Sequence, residues 1–172
     1  MNLVFIAVGS NLEDPEMQIT QALDALAKIG QLTNLSHWYS TPPMGPQNQA
    51  DFINGAILLA TSKDPFTLLK ALQTIEQNQN RIHEKHWGPR TIDLDIALFN
   101  NSSVFSRQLI IPHQGMITRD FVLQPILDIA PNQCLPSGES LASLLRKLPK
   151  TQLTPLNAFS KALVNRFLDA AS

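Results

Sequence analysis

The feature that most restricts the fold is a pair of Asp-Pro steps, Asp14-Pro15 and Asp64-Pro65, each lying a few residues after an apolar run (3–8 and 52–60). Aspartate caps a helix by accepting from its first-turn N–H groups, and proline suits the first helical position, where its missing N–H is not needed. Ile19, Ala22, Leu23, Leu26 and Ile29 then recur at helical spacing up to Gly30, and Phe66, Leu69, Leu72 and Ile75 do the same after the second step. The apolar runs themselves read as buried strands. Residues 32–39 and 91–99 read as two more, and Thr41-Pro42-Pro43-Met44-Gly45-Pro46 cannot prolong the first of these because prolines donate no ladder hydrogen bond. The order strand, helix, strand, strand, helix, strand predicts an α/β (α+β) fold. Its core is a ferredoxin-like βαββαβ unit, an antiparallel sheet with helices packed on one face.

Beyond that core the sequence predicts a hairpin over 104–111 and helices over 121–129 and 140–148. After Pro149 the chain turns polar, and then Phe159, Leu163, Phe167 and Leu168 return to helical spacing. Residues 1–150 are therefore read as one domain and 151–172 as a C-terminal extension that docks as a helix. The 172 residues are 44% hydrophobic, enough for a single core. Thirteen basic and fourteen acidic residues give a formal charge of -1, so no global field draws the chain to nucleic acid or to an anionic membrane. The lone Cys134 has no internal disulfide partner and reads as a packed thiol in a reducing compartment. The 3–8 run lacks a charged flank and is too short to span a bilayer, which leaves the cytoplasm as the expected location.

The chemistry concentrates in Trp87-Gly88-Pro89-Arg90-Thr91-Ile92-Asp93-Leu94-Asp95. The period of two in a strand puts Asp93 and Asp95 on one face, with Leu94, Ile96 and Leu98 on the other, toward the core. Two such charges about 7 Å apart repel by roughly 2 kcal/mol at an effective dielectric near 20. A hard dication offsets this, since Mg²⁺ takes one or two carboxylates together with substrate phosphates. Two well-hydrated acids on a solvent-facing strand are the plainer alternative. Arg90 offers a planar guanidinium to a phosphate, or pairs with Asp93 itself. Trp87 in a Gly-Pro turn suits a loop better than a core. No Gly-x-x-x-x-Gly-Lys-Ser/Thr loop is present, so a bound nucleotide would need cations, with Arg81, His113 and Arg119 as further donors. Taken individually, each of these residue types is more often a surface side chain than a ligand.

The run from Trp87 to Ile96 resembles the signature of the 6-hydroxymethyl-7,8-dihydropterin pyrophosphokinase family. The resemblance extends through Gly9-Ser10-Asn11, Tyr39-Ser40-Thr41-Pro42-Pro43-Met44-Gly45, Asp51-Phe52-Ile53-Asn54, Ile75-Glu76 and Pro112-His113, and covers roughly residues 3–148. It implies transfer of pyrophosphate from ATP, a co-substrate, to the pterin hydroxymethyl group in folate biosynthesis, with release of AMP. It further implies that Asp93 and Asp95 bind two Mg²⁺ ions and that Arg90 and Arg81 contact phosphate. Phe52 and Phe121 would stack on the pterin, Asn54, Thr41, Pro43 and Met44 would read its edge, and Trp87 would close over it. Gln73, Glu76, Ile96, His113 and Arg119 fall where the family contacts ATP. Without the resemblance, Phe52 and Phe121 read equally well as core residues and Asn54 as a backbone partner.

The chain departs from the family pattern at His83, where some members carry an arginine, and the loop to Trp87 is one residue shorter. Gln108 and Ile110 stand where an arginine and a threonine can assist the nucleotide, and Gln114 replaces a tyrosine. Two rival readings are a two-metal nucleotidyltransferase, which would release pyrophosphate, and an RNA-binding module of the same fold. The latter lacks an aromatic platform motif and has an unfavourable net charge. The expected partners are two small molecules, with the chain working as a monomer.

Overall fold

The computed structural model describes residues 1–45, 48–80 and 91–169. The central strand β1 (Asn2–Ser10) lies antiparallel between β4 (Phe52–Thr61) and β5 (Asp93–Phe99). On its other side β4 pairs with β2 (Gln31–Leu35) and β3 (Tyr39–Thr41), and β8 (Thr154–Pro155) extends the sheet beyond β3. Helices α1 (Pro15–Leu26) and α2 (Pro65–Asn78) are the crossovers, each opened by its Asp-Pro step. Asp14 accepts from the N–H of Met17, and Asp64 from those of Phe66 and Thr67. The Thr67 hydroxyl also donates to Asp64 and holds that carboxyl below the usual range. This is the predicted ferredoxin-like order.

Four expectations are corrected. Helices cover both faces of the sheet, because β1 is apolar on both: Val4, Ile6 and Val8 pack with α1 and α2, while Phe5 packs with α3 (Asp120–Ile129) and α4 (Leu141–Lys147). The strand expected over 32–39 is broken at 36–38, where three residues stand opposite Gly55 and Ala56. The surplus residue leaves the ladder as a bulge would, and Trp38 turns its backbone to the tail, donating to Ser160 Oγ and accepting from the Leu156 N–H, both at 2.8 Å. A second irregularity, between Phe5 and Ile6 in the β1–β5 pairing, moves Leu98 to the opposite face from Leu94 and Ile96. On α2 it is Leu68 that enters the core, while Phe66 is exposed.

The predicted hairpin is β6 (Val104–Phe105) with β7 (Ile110–Ile111). The tail carries α5 (Asn157–Phe167), whose Phe159 and Leu163 are buried in the α1–α2 core. Helix α3 is tied to the sheet by the Tyr39 hydroxyl, which donates to Asp128 Oδ2 at 2.6 Å. Burial, reinforced by this hydrogen bond and by the Asp128 charge, pushes the phenol above its ordinary range. Among the described residues no helix is long and apolar enough to cross a membrane.

Candidate active site

The face of the sheet under α3 runs out of large side chains at one end. Ala7 lies opposite Asp95, and Gly9 lies opposite both Asp93 and Asn54. A Cβ on Gly9 would stand 2.6 Å from Asn54 Oδ1, so this position keeps the floor open for the amide. A small cavity of about 40 Å³ is lined there by Gly9, Asn54, Asp93, Asp95, Arg119 and Phe121. Asn54 Nδ2 donates to Thr41 Oγ1 at 2.7 Å, which ties the amide to the proline-rich loop through a side chain rather than through backbone. Pro43 is buried and Met44 exposed at the loop itself.

The Gly9-Ser10-Asn11 step serves this end of the sheet with each residue. Ser10 Oγ donates to the Thr91 carbonyl and pins the entry to β5, two residues before Asp93. Asn11 Nδ2 donates to Gln49 Oε1 and to the Ala50 carbonyl, both at 3.0 Å, and so fixes the approach to β4.

A second cleft, of about 270 Å³, opens on the other side of Asp95 and is lined by Ile96, Arg107, Gln108, Ile110 and His113, with Leu69 of α2. His113 is placed by its own N–H, which donates to the Ala97 carbonyl at 3.1 Å. Its Nδ1 accepts from the Gly115 N–H at 3.1 Å, so a neutral ring carries its proton on Nε2. That nitrogen stands 3.8 Å from Asp95 Oδ2, an ion pair whenever the imidazole is protonated. Asp95 therefore borders both clefts and is 37% exposed.

The structure thus brings together Asn54, Asp93, Asp95, Arg119 and Phe121 in one cavity, and Asp95, Ile96 and His113 in the other. Ile96 meets its cleft from a side chain buried in the core. Gln73, exposed, and Glu76, buried, lie on α2 beyond Leu69, with Gln73 one turn along the same face. Phe52 is half-buried at the start of β4 and does not line the Phe121 cavity. Arg81, Trp87 and Arg90, with His83, lie outside the described residues.

Sequence reasoning passed over Arg107, a guanidinium beside Gln108 at the cleft mouth. Its only signal is a basic residue in a hairpin turn. Gly9 was visible as a strand end and as part of the Gly9-Ser10-Asn11 motif, but not as the open floor of the site.

Comparison with known proteins decides the family. The model for 7,8-dihydro-6-hydroxymethylpterin-pyrophosphokinase matches residues 5–131. The chain belongs to this family. Among its relatives, the 2-amino-4-hydroxy-6-hydroxymethyldihydropteridine pyrophosphokinase of Pseudomonas aeruginosa is 44% identical over 148 residues, covering 85% of this chain and 91% of that protein. The Haemophilus influenzae protein of the same name is 36% identical over 159 residues, or 91% and 99% of the two chains. The Plasmodium falciparum HPPK-DHPS crystal structure superposes with a TM-score of 0.68 at 16% identity, over 85% of this chain. The chain spans 44% of that polypeptide, and the likeness speaks for the fold of this pyrophosphokinase family.

Proposed function

We propose that the pterin lies against Phe121 with its edge in the small cavity beside Asn54, that the cleft against His113 takes ATP, and that the two substrates meet at Asp95. The observation that carries this reading is that Asp95 borders both spaces. The chain is a pyrophosphokinase of folate biosynthesis that transfers pyrophosphate from ATP to 6-hydroxymethyl-7,8-dihydropterin. The hydroxymethyl oxygen bonds to the β-phosphorus, the bond from that phosphorus to the α–β bridging oxygen breaks, the hydroxyl proton is released and AMP departs. Little covalent chemistry is asked of the protein in such a transfer, and the work is positioning and charge neutralisation.

Asp93 and Asp95 suit Mg²⁺. They are hard oxygen donors on one face, beside a glycine that leaves room above the sheet. Among the described residues no three or more His, Cys, Asp or Glu side chains gather as a metal cage. Such a two-carboxylate platform leaves the rest of the coordination shell to water and phosphate, as Mg²⁺ prefers. When bound, two Mg²⁺ ions would neutralise the triphosphate and polarise its β-phosphorus.

The chain's own side chains do the remaining work. Asn54 offers the pterin edge an amide already oriented by Thr41. Phe121 gives the ring one apolar face from the cavity wall, and Phe52, which stands outside that lining, supplies the other on the strength of the family resemblance alone. Arg119 and His113 flank the phosphates, and Arg107 adds a cation at the mouth of the ATP cleft. Arg81 and Arg90 carry phosphate contacts on the strength of the signature, and Trp87 closes over the pterin. Gln73, Glu76 and Ile96 border the nucleotide. A monomer at work in the cytoplasm completes the proposal.

Phe121→Ala weakens pterin binding by about 1 to 3 kcal/mol through lost stacking and burial. Calorimetric titration with the pterin in the presence of an unreactive ATP analogue and Mg²⁺ checks this, and an unchanged affinity removes Phe121 from the site. Arg107→Ala raises the KM for ATP about three- to tenfold, the net scale of one ordinary hydrogen bond, as suits an exposed guanidinium at the cleft mouth. Steady-state kinetics at saturating pterin read this directly, and an unaltered KM returns Arg107 to the solvent.

A further inference from the structure

We infer that the C-terminal extension braces the pterin-side cavity and that Thr151 is its positioning residue, acting through Asp120 on Phe121. The inference rests on the assignment of Phe121 to the pterin. Asp120 opens α3 and stands between Arg119 and Phe121, and it is only 6% exposed. A carboxylate so far from water needs close donors. Thr151 supplies both, its N–H at 2.8 Å from Oδ2 and its hydroxyl at 2.6 and 2.7 Å from the two oxygens. No lysine or arginine among the described residues pairs with Asp120. Hydrogen bonds to an ionised acceptor are short and strong, so the start of α3 follows Thr151.

The helix has reason to depend on this tie. Pro125 sits inside α3 and has no N–H to give the carbonyl four residues back, which is that of Phe121. The turn bearing the ring therefore lacks one intrahelical hydrogen bond. Thr151 is itself exposed, so its side chain does little core packing, but the segment that follows it is well anchored. Thr154 and Pro155 pair with Ser40 and Tyr39, next to Thr41 on the loop side of the site. Phe159 and Leu163 then seat α5 in the core. One stretch of tail thus reaches the site from two sides, through the ladder to β3, whose Thr41 holds Asn54, and through a contact 31 residues apart in sequence to the α3 wall. Holding the wall before substrate arrives lowers the ordering cost of binding.

Thr151→Val keeps the side-chain shape and the backbone N–H and removes only the hydroxyl. The KM for the pterin then rises roughly fivefold, the net scale of one ordinary hydrogen bond, and Thr151→Ser restores it. In a Phe121→Ala background the same substitution adds nothing, because the brace acts through the missing ring. Each variant is assayed below its own melting temperature. A pterin KM within twofold of the parent, with or without a lowered Tm, overturns the brace, as does a Thr151→Val effect that persists in full without Phe121. If Phe121→Ala itself leaves pterin affinity unchanged, the ring assignment fails and the brace falls with it. If Phe121→Ala weakens binding and Thr151→Val does not, the brace alone is wrong.

Discussion

Asp95→Ala lowers the rate of AMP formation by about a thousandfold, roughly 4 kcal/mol of transition-state stabilisation. The side chain borders both clefts and is 37% exposed, so its loss falls on the reaction rather than on the core. Two effects add. The platform for a hard cation is halved, leaving Asp93 alone to set a dication against the triphosphate. The negative charge 3.8 Å from His113 Nε2 also disappears, which frees that ring to turn away from the phosphate side. Asp95→Asn keeps the shape without the charge and shows nearly the same deficit if metal binding dominates. Circular dichroism and thermal unfolding close to those of the parent establish that the loss is chemical. Turnover near the parent rate in the alanine variant sinks the metal assignment.

Trp38→Ala destabilises the fold by about 3 to 5 kcal/mol, the range for emptying a large buried aromatic site. Trp38 is fully buried, with its ring against Gly55 so closely that a Cβ there would lie 2.5 Å from Cε3. Phe159 of α5 also meets the ring, edge-on at 5.9 Å between centroids. The residue therefore joins sheet and tail, and its removal loosens both. For a chain of this length the cost corresponds to a fall in Tm of roughly 10 °C or more. Trp38→Phe costs less than about half as much, because it keeps an aromatic body and discards an indole N–H that has no hydrogen-bond partner among the described residues. Thermal unfolding of the two variants measures the difference. A Trp38→Ala protein melting within about 2 °C of the parent contradicts this account of the core.

The elements that depend on local chemistry were legible from the residues. Asp14-Pro15 and Asp64-Pro65 announce helix starts through capping and ring geometry, and the apolar runs before β1 and β4 end announce strands. Features that depend on distant partners were not legible. Trp38 has good strand propensity, yet it leaves the ladder because Leu156 and Ser160 claim its backbone from more than a hundred residues away. The two-residue strand β8 contains a proline and has no periodicity to find. Leu98 changes face through a register shift that involves β1 as much as β5.

The candidate site divides in the same way. Strict alternation places Asp93 and Asp95 on one face, and the structure sets both in the lining of one cavity with Asn54 and Phe121. Arg107 was overlooked because a basic residue in a turn is chemically unremarked until the cleft beside it is seen. The Asp120–Thr151 contact was hidden for the same reason, since neither residue type is unusual where it stands. Ser10 and Asn11 belong to a motif that was recognised, but their roles as ties to Thr91 and Ala50 emerge only from the geometry.

The central claim is that two substrates meet at Asp95 and exchange an intact pyrophosphate. Incubation of the protein with Mg²⁺, 6-hydroxymethyl-7,8-dihydropterin and ATP labelled in its γ-phosphate tests it most directly. The account predicts label in the pterin diphosphate, with unlabelled AMP released in equal amount and only when all three are present. Label appearing in free pyrophosphate, with the adenylyl group on the pterin, would contradict it.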